Sequence, residues 1–123
     1  MGEYVNFRHN GVLLVTVPSF VTAAPEIREQ YCNGMGPAGK GWLVPDTIYL
    51  LDCGIIGDIH DWMYTFGADE GVSKTDADEI FRQNLETYIR AKSNWFTRPL
   101  RLRRARTYYL AVSALGAKHY RQR

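Results

Sequence analysis

Apolar and polar residues change period several times along this chain. Tyr4 to Phe7 and Val12 to Val17 are apolar or β-branched runs flanking Arg8-His9-Asn10-Gly11. Asn-Gly accepts the positive φ angles of a tight turn, so the first two runs predict a β-hairpin. The apolar stretch continues from Val12 to Ala24 and reads as strand, although Pro18 and Thr22 interrupt it. From Asn33 to Gly41 the sequence NGMGPAGKG has too many glycines, and a proline, to propagate a helix, and predicts a loop of unusual backbone geometry. Asp46 to Phe66 then predicts a helix, capped by Asp46 or Asp52 and closed by Gly67 in a left-handed conformation. A second helix begins near Thr75, with Ala77, Ile80, Phe81, Asn84, Leu85, Tyr88 and Ile89 at helical spacing as its core face. A third has Pro99 in its first turn, buries Ala105, Tyr108, Tyr109, Val112 and Leu115, and reaches towards His119. The expected fold is mainly α, with a three-helix core, two antiparallel main helices and an N-terminal hairpin.

Length and composition fit that outline. At 123 residues, with 46% hydrophobic and 23% charged side chains, the chain suits one globular domain, residues 1–30 forming the hairpin and connection and 31–120 the core. No apolar run is long enough to span a bilayer. A signal peptide ending at Val21-Thr22-Ala23 would have Glu3, Arg8, His9 and Asn10 as a poorly basic leader. The formal charge is only +2, yet acidic residues crowd the middle third, while Arg98, Arg101, Arg103, Arg104 and Arg106 crowd one later stretch. That stretch suits a solvated helix start or an anionic partner. Trp42, Trp62 and Trp95 suit a membrane interface, or, for Trp95 with Phe96, closure of the core between helices. Cys32 and Cys53 make no disulfide framework and are expected as free thiols, Cys53 as a small buried hydrophobe.

The candidate chemistry centres on His60. Ile56, His60 and Tyr64 share one helical face, while Asp61 points about 100° away. His60 is suited to take a proton near neutral pH, and a carboxylate on its other ring nitrogen would fix its tautomer. Asp78 and Asp76, at the start of the next helix, are candidates if the two helices pack antiparallel; Asp78 is preferred, with Tyr64 donating to the same carboxylate. Asp61 is then free to hold a hard cation with the carbonyls of Cys32, Gly34 and Gly36, since calcium takes oxygen ligands in irregular geometry.

In these features the chain resembles the phospholipase A2 superfamily, in which a glycine-rich calcium loop precedes a helix carrying His-Asp-x-x-Tyr. The matching residues are NGMGPAG and His60-Asp61-Trp62-Met63-Tyr64. The small bacterial and viral-capsid members also place an aspartate three residues before a phenylalanine, as Asp78 precedes Phe81, and Ala105 to Val112 is similar to the bacterial ending. A similar order occurs in phage-encoded domains of unknown function. The resemblance covers about residues 31–120. It implies a calcium-dependent hydrolase of the sn-2 ester of glycerophospholipids, acting on a phospholipid or membrane surface. His60 would activate water, Asp78 and Tyr64 would orient it, and Asp61 with the carbonyls of Cys32, Gly34 and Gly36 would hold calcium. The Gly34 amide would support the oxyanion. It departs from the secreted animal enzymes at Ile56 and Gly57, where they have cysteines, and at Pro37, which replaces a loop glycine. A virion-associated or lysis-released product would suit such an enzyme, which stays silent at cytosolic calcium.

Other function classes find less support. A non-catalytic phage-type structural or accessory domain would keep the fold and the His60–Asp78 pair without turnover. Gly34 to Lys40 match the opening of a nucleotide-binding P-loop, but Gly41 stands where Ser or Thr must reach magnesium, and Trp42-Leu43-Val44-Pro45 follow instead of a helix. A histidine-rich metallophosphohydrolase needs further ligands, and only His9 and His119 remain. Nucleic-acid binding through the arginines would lose affinity steeply with salt.

Overall fold

The hairpin forms around the turn its sequence favours. In the computed structural model, which describes residues 3–32 and 47–120, strands β1 (Val5–His9) and β2 (Val12–Thr16) pair antiparallel from Val5↔Thr16 to His9↔Val12. Asn10 and Gly11 turn the chain at φ 50° and 79°. β2 alternates as a half-buried strand should, with Val12, Leu14 and Thr16 inward and Leu13 outward. Its free edge is closed by a side chain rather than a third strand. Buried Asn84 accepts from the Val15 N–H through Oδ1 at 2.8 Å and donates to the Val15 carbonyl through Nδ2 at 2.9 Å, imitating a peptide group.

The expected continuation of β2 towards Ala24 does not occur. The chain turns at Val17 into two short helices, α1 (Pro18–Thr22) and α2 (Pro25–Tyr31), each with proline in its first turn. Proline has no N–H to donate to a strand and its φ already suits a helix start. Phe20 is the buried residue of α1, edge-on to Phe7 at 5.5 Å and to Trp62 at 5.9 Å.

The helix expected over residues 46–66 also starts later. Thr47–Ile48 (β3) and Leu51–Asp52 (β4) form a small antiparallel hairpin, turned by Tyr49 and Leu50 at φ 46° and 70°. Helix α3 then runs Gly54–Phe66 with Cys53 as N-cap. Asp52 reaches its start from outside, accepting the Gly54 N–H at 2.9 Å, whereas Asp46 lies outside the described residues. Gly67 is not left-handed; its φ is −61°. It opens a 3-10 turn (Gly67–Glu70), and the left-handed residue is Gly71 at φ 76°. At Gly67 a Cβ would sit 3.1 Å from the Val72 carbonyl, so glycine serves close packing there.

Helix α4 (Lys74–Lys92) is capped by Ser73, whose Oγ accepts the Asp76 N–H at 3.0 Å, rather than by Thr75. Its buried face includes Ala77, Ile80, Phe81, Asn84, Leu85, Tyr88 and Ile89, as its spacing predicts. Helix α5 (Thr97–Leu115) buries Ala105, Tyr108 and Val112, but Tyr109 is half-buried and Leu115 is exposed; a 3-10 turn, Ala117–His119, follows. α4 packs on both α3 and α5, and the short connections make these neighbours antiparallel. The fold is therefore mainly helical with an N-terminal hairpin. Trp95 and Phe96 do not close its core, being 84% and 61% exposed. Trp62 does belong to the core, donating from Nε1 to Ser19 Oγ at 2.8 Å. No described helix is long and apolar enough to cross a membrane.

Candidate active site

The antiparallel contact of α3 with α4 brings His60, Tyr64 and Asp78 together. His60 Nε2 lies 2.8 Å from Asp78 Oδ1, and the Tyr64 hydroxyl donates to the same oxygen at 2.6 Å. The other oxygen, Oδ2, accepts from Lys74 Nζ at 2.7 Å. The His60 ring is wedged between Tyr64, at 4.1 Å between centroids, and Phe81, at 4.7 Å. Asp76, the other candidate, supplies its N–H to the Ser73 cap.

Charge in this cluster follows from its burial. Burial works against protonation of His60 and is reinforced by the Lys74 charge; together they outweigh the pull of Asp78 and hold the imidazole below its ordinary pKa of 6.5. Burial opposes ionisation of Asp78, but hydrogen bonds from His60, Lys74 and Tyr64 prevail and keep its carboxyl below the ordinary 3.8. Burial, followed by the hydrogen bond to Asp78, pushes the Tyr64 phenol far up, so it remains a donor. A carboxylate only accepts, so a neutral imidazole facing Asp78 must carry its proton on Nε2. Nδ1 is left with the lone pair. The cluster is a base whose tautomer is fixed from behind.

Lys74 is the participant that sequence reasoning missed. Its ammonium also donates to the carbonyls of Val112, at 3.2 Å, and Ser113, at 3.1 Å, near the end of α5. Its i,i+4 spacing from Asp78 was the available signal. Gly116 carried none: a Cβ there would lie 2.5 Å from both the Tyr64 hydroxyl and the Val112 carbonyl, so only glycine lets Tyr64 reach Asp78 undisturbed. Tyr120 completes the wall, edge-on to Tyr64 at 5.4 Å, with its hydroxyl donating to the Val72 carbonyl.

The expected calcium ligands are only partly in view. Half-buried Asp61 lies on a different side of α3 from the imidazole contacts, and its carbonyl accepts from Thr65 Oγ1 at 3.0 Å. Cys32, at the end of α2, meets the same helix, its thiol donating to the Asp58 carbonyl at 3.2 Å. Burial pushes this thiol up to about 12, and the charges of Asp58 and Asp61 add to the effect. The Cys32 thiol is thus close enough to α3 to feel the Asp61 charge. Gly34, Gly36, Pro37, Lys40 and Trp42 lie outside the described residues. Among the described residues no three His, Cys, Asp or Glu side chains form a metal cluster, a grouping the expected set of one carboxylate and main-chain carbonyls does not require. A pocket of about 240 Å³ opens beside Cys32, bounded by Phe20, Arg28, Ile55 and Asp58.

Both cysteines are free thiols. Cys53 is buried and pushed up to about 12 chiefly by that burial, so it offers no nucleophile. His9 stands in the hairpin, 6.0 Å from the Tyr88 ring, and His119 in the last 3-10 turn, so the described residues bring no histidine cluster around His60. No protein-family model, curated protein or solved structure matches the chain.

Proposed function

We propose that the chain is a calcium-dependent hydrolase of the phospholipase A2 kind, cleaving the sn-2 ester of glycerophospholipids. The observation that carries this reading is the His60–Asp78 hydrogen bond at 2.8 Å, made by a neutral imidazole whose carboxylate partner is held by Tyr64 and Lys74. His60 Nδ1 takes a proton from water as the water oxygen attacks the ester carbonyl carbon. Asp78 stabilises the imidazolium, which then returns the proton to the departing glycerol oxygen as the acyl C–O bond breaks, leaving a fatty acid and a lysophospholipid. No covalent acyl-enzyme is needed. Calcium, when held by Asp61 and the carbonyls of Cys32, Gly34 and Gly36, would polarise the ester carbonyl.

A second reading is a non-catalytic phage-type domain that keeps this pair as a structural link. One observation favours it: His60 is only 6% exposed. Fatty-acid release from phospholipid vesicles, measured with calcium or a chelator, separates the two. Hydrolysis is expected with calcium alone, and His60→Gln is expected to lower it about 10²–10⁴-fold, the usual contribution of a general base. Asp61→Asn should abolish the calcium-dependent release. No release by the native chain, or release unaffected by His60→Gln, sinks the hydrolase and leaves the structural domain.

A further inference from the structure

Far from His60, at the other end of α4, several large apolar side chains stand in solvent among arginines. Leu50 at the tip of the β3–β4 turn is 95% exposed, Trp95 84% and Phe96 61%, with Leu100 exposed on the first turns of α5. Asp78 and Lys92 are separated by about 20 Å along α4, so this corner is distinct from the imidazole cluster.

The corner is built to stay outward. Asn94 Oδ1 accepts the N–H groups of Phe96, at 2.9 Å, and Thr97, at 2.8 Å, which fixes the turn bearing Trp95 and Phe96. Arg101 joins that turn to the β3–β4 hairpin: its guanidinium donates to Ser93 Oγ at 2.9 Å and to the carbonyls of Ile48, at 3.2 Å, and Tyr49, at 2.5 Å. Arg104 lies over the Tyr49 ring at 5.4 Å and donates to its hydroxyl at 3.1 Å. These contacts hold Tyr49 and Leu50 at positive φ, which asparagine and glycine take more readily, and so present Leu50 at the tip.

We propose that this corner docks the chain onto an anionic phospholipid leaflet, Leu50, Trp95, Phe96 and Leu100 entering the interfacial layer while the exposed Arg98, Arg103 and Arg106 meet lipid phosphates. Tryptophan favours the interfacial zone, and guanidinium pairs with phosphate through parallel hydrogen bonds. Charge selects this partner over a second copy of the chain. No acidic residue follows Glu86 in the sequence and the described β3–β4 hairpin adds the single carboxylate of Asp52, so two such corners would bring mainly arginine against arginine. Aliphatic tips select it over nucleic acid: aromatic rings stack on bases, but Leu50 and Leu100 do not.

Co-sedimentation with diether-lipid vesicles in the presence of a chelator tests the surface without any ester to cleave. The native chain is expected to bind vesicles containing phosphatidylglycerol, to ignore pure phosphatidylcholine, and to release as salt rises. Trp95→Ser with Phe96→Ser, and separately Arg103→Glu with Arg106→Glu, should each weaken binding about tenfold or more with thermal melts unchanged. Binding indifferent to lipid charge, binding retained in both double variants, tighter binding to single-stranded DNA, or a dimer in solution that Trp95→Ser dissolves would overturn the proposal. Vesicle binding without fatty-acid release removes the hydrolase and leaves docking intact, whereas hydrolysis of dispersed monomeric lipid without vesicle binding does the reverse.

Discussion

Acidification should weaken the fold through His60 before any carboxylate takes part. Burial, with Lys74 adding to it, keeps the native imidazole neutral below 6.5, its ordinary value and the one expected of the unfolded chain. Between 6.5 and the lower native value the unfolded chain holds one proton more than the folded chain, so the free energy of unfolding falls as pH falls. The slope is about 1.4 kcal/mol per pH unit for one group. With an unfolding entropy of roughly 0.25 kcal/mol/K for a chain this long, that corresponds to about 5 °C in Tm per pH unit. Asp78 has the same sign in a lower window: its native carboxyl is depressed, so its contribution is present above the ordinary 3.8 and is lost as pH falls through the native value. Urea unfolding of the native chain and of His60→Gln from pH 7.5 to 4.5 isolates the term, because His9 and His119 are common to both. Below 6.5 the native chain should lose stability relative to His60→Gln at about 1.4 kcal/mol per pH unit, so that its advantage at neutral pH shrinks. Parallel curves refute the reasoning. A native chain that instead gains stability from His60 on acidification would make the pair a buried ion pair, and the imidazole would be no neutral base.

Two substitutions test the surroundings of the pair. Lys74→Met removes the charged hydrogen bond to Asp78 Oδ2 and those to Val112 and Ser113, and is expected to cost about 2 kcal/mol. It should also make His60 more basic, which NMR titration of the imidazole would detect and Lys74→Arg would partly reverse; an unmoved titration sinks that role. Gly116→Ala puts a Cβ 2.5 Å from both the Tyr64 hydroxyl and the Val112 carbonyl. A loss of about 1–3 kcal/mol is expected, smaller by at least about 0.5 kcal/mol in a Tyr64→Phe background. Equal losses in the two backgrounds would assign the clash to Val112 alone.

What could be read from the sequence was whatever depends on short-range chemistry or strong periodicity. Asn10-Gly11 announced a two-residue turn because few other pairs accept both positive φ angles. The buried spacing from Ala77 to Ile89 announced α4, and α4 in turn made Asp78 the natural partner of His60. Misreadings arose where a distant contact overrode local preference. Tyr49 and Leu50 have no propensity for positive φ, and two arginines of α5, outside the local sequence, hold that turn. Lys74 looked like an ordinary basic residue because its carbonyl partners lie almost 40 residues away. Apolar character alone left Trp95 and Phe96 open between a membrane interface and closure of the core, and it is the Asn94 turn at the start of α5 that projects them into water.

The closing segment of the chain sets an order of assembly. α3 and α4 are neighbours in sequence and can set His60 against Asp78 by themselves. The ammonium of Lys74 finds its carbonyls, and Tyr64 its wall of Gly116 and Tyr120, only once α5 has folded back along α4 and brought its end to the pair. A chain interrupted before Val112 would leave Lys74 without two of its acceptors and Tyr64 without its wall. In refolding, chain compaction should therefore run ahead of the final His60 environment, making the imidazole a clock for the arrival of the last helix.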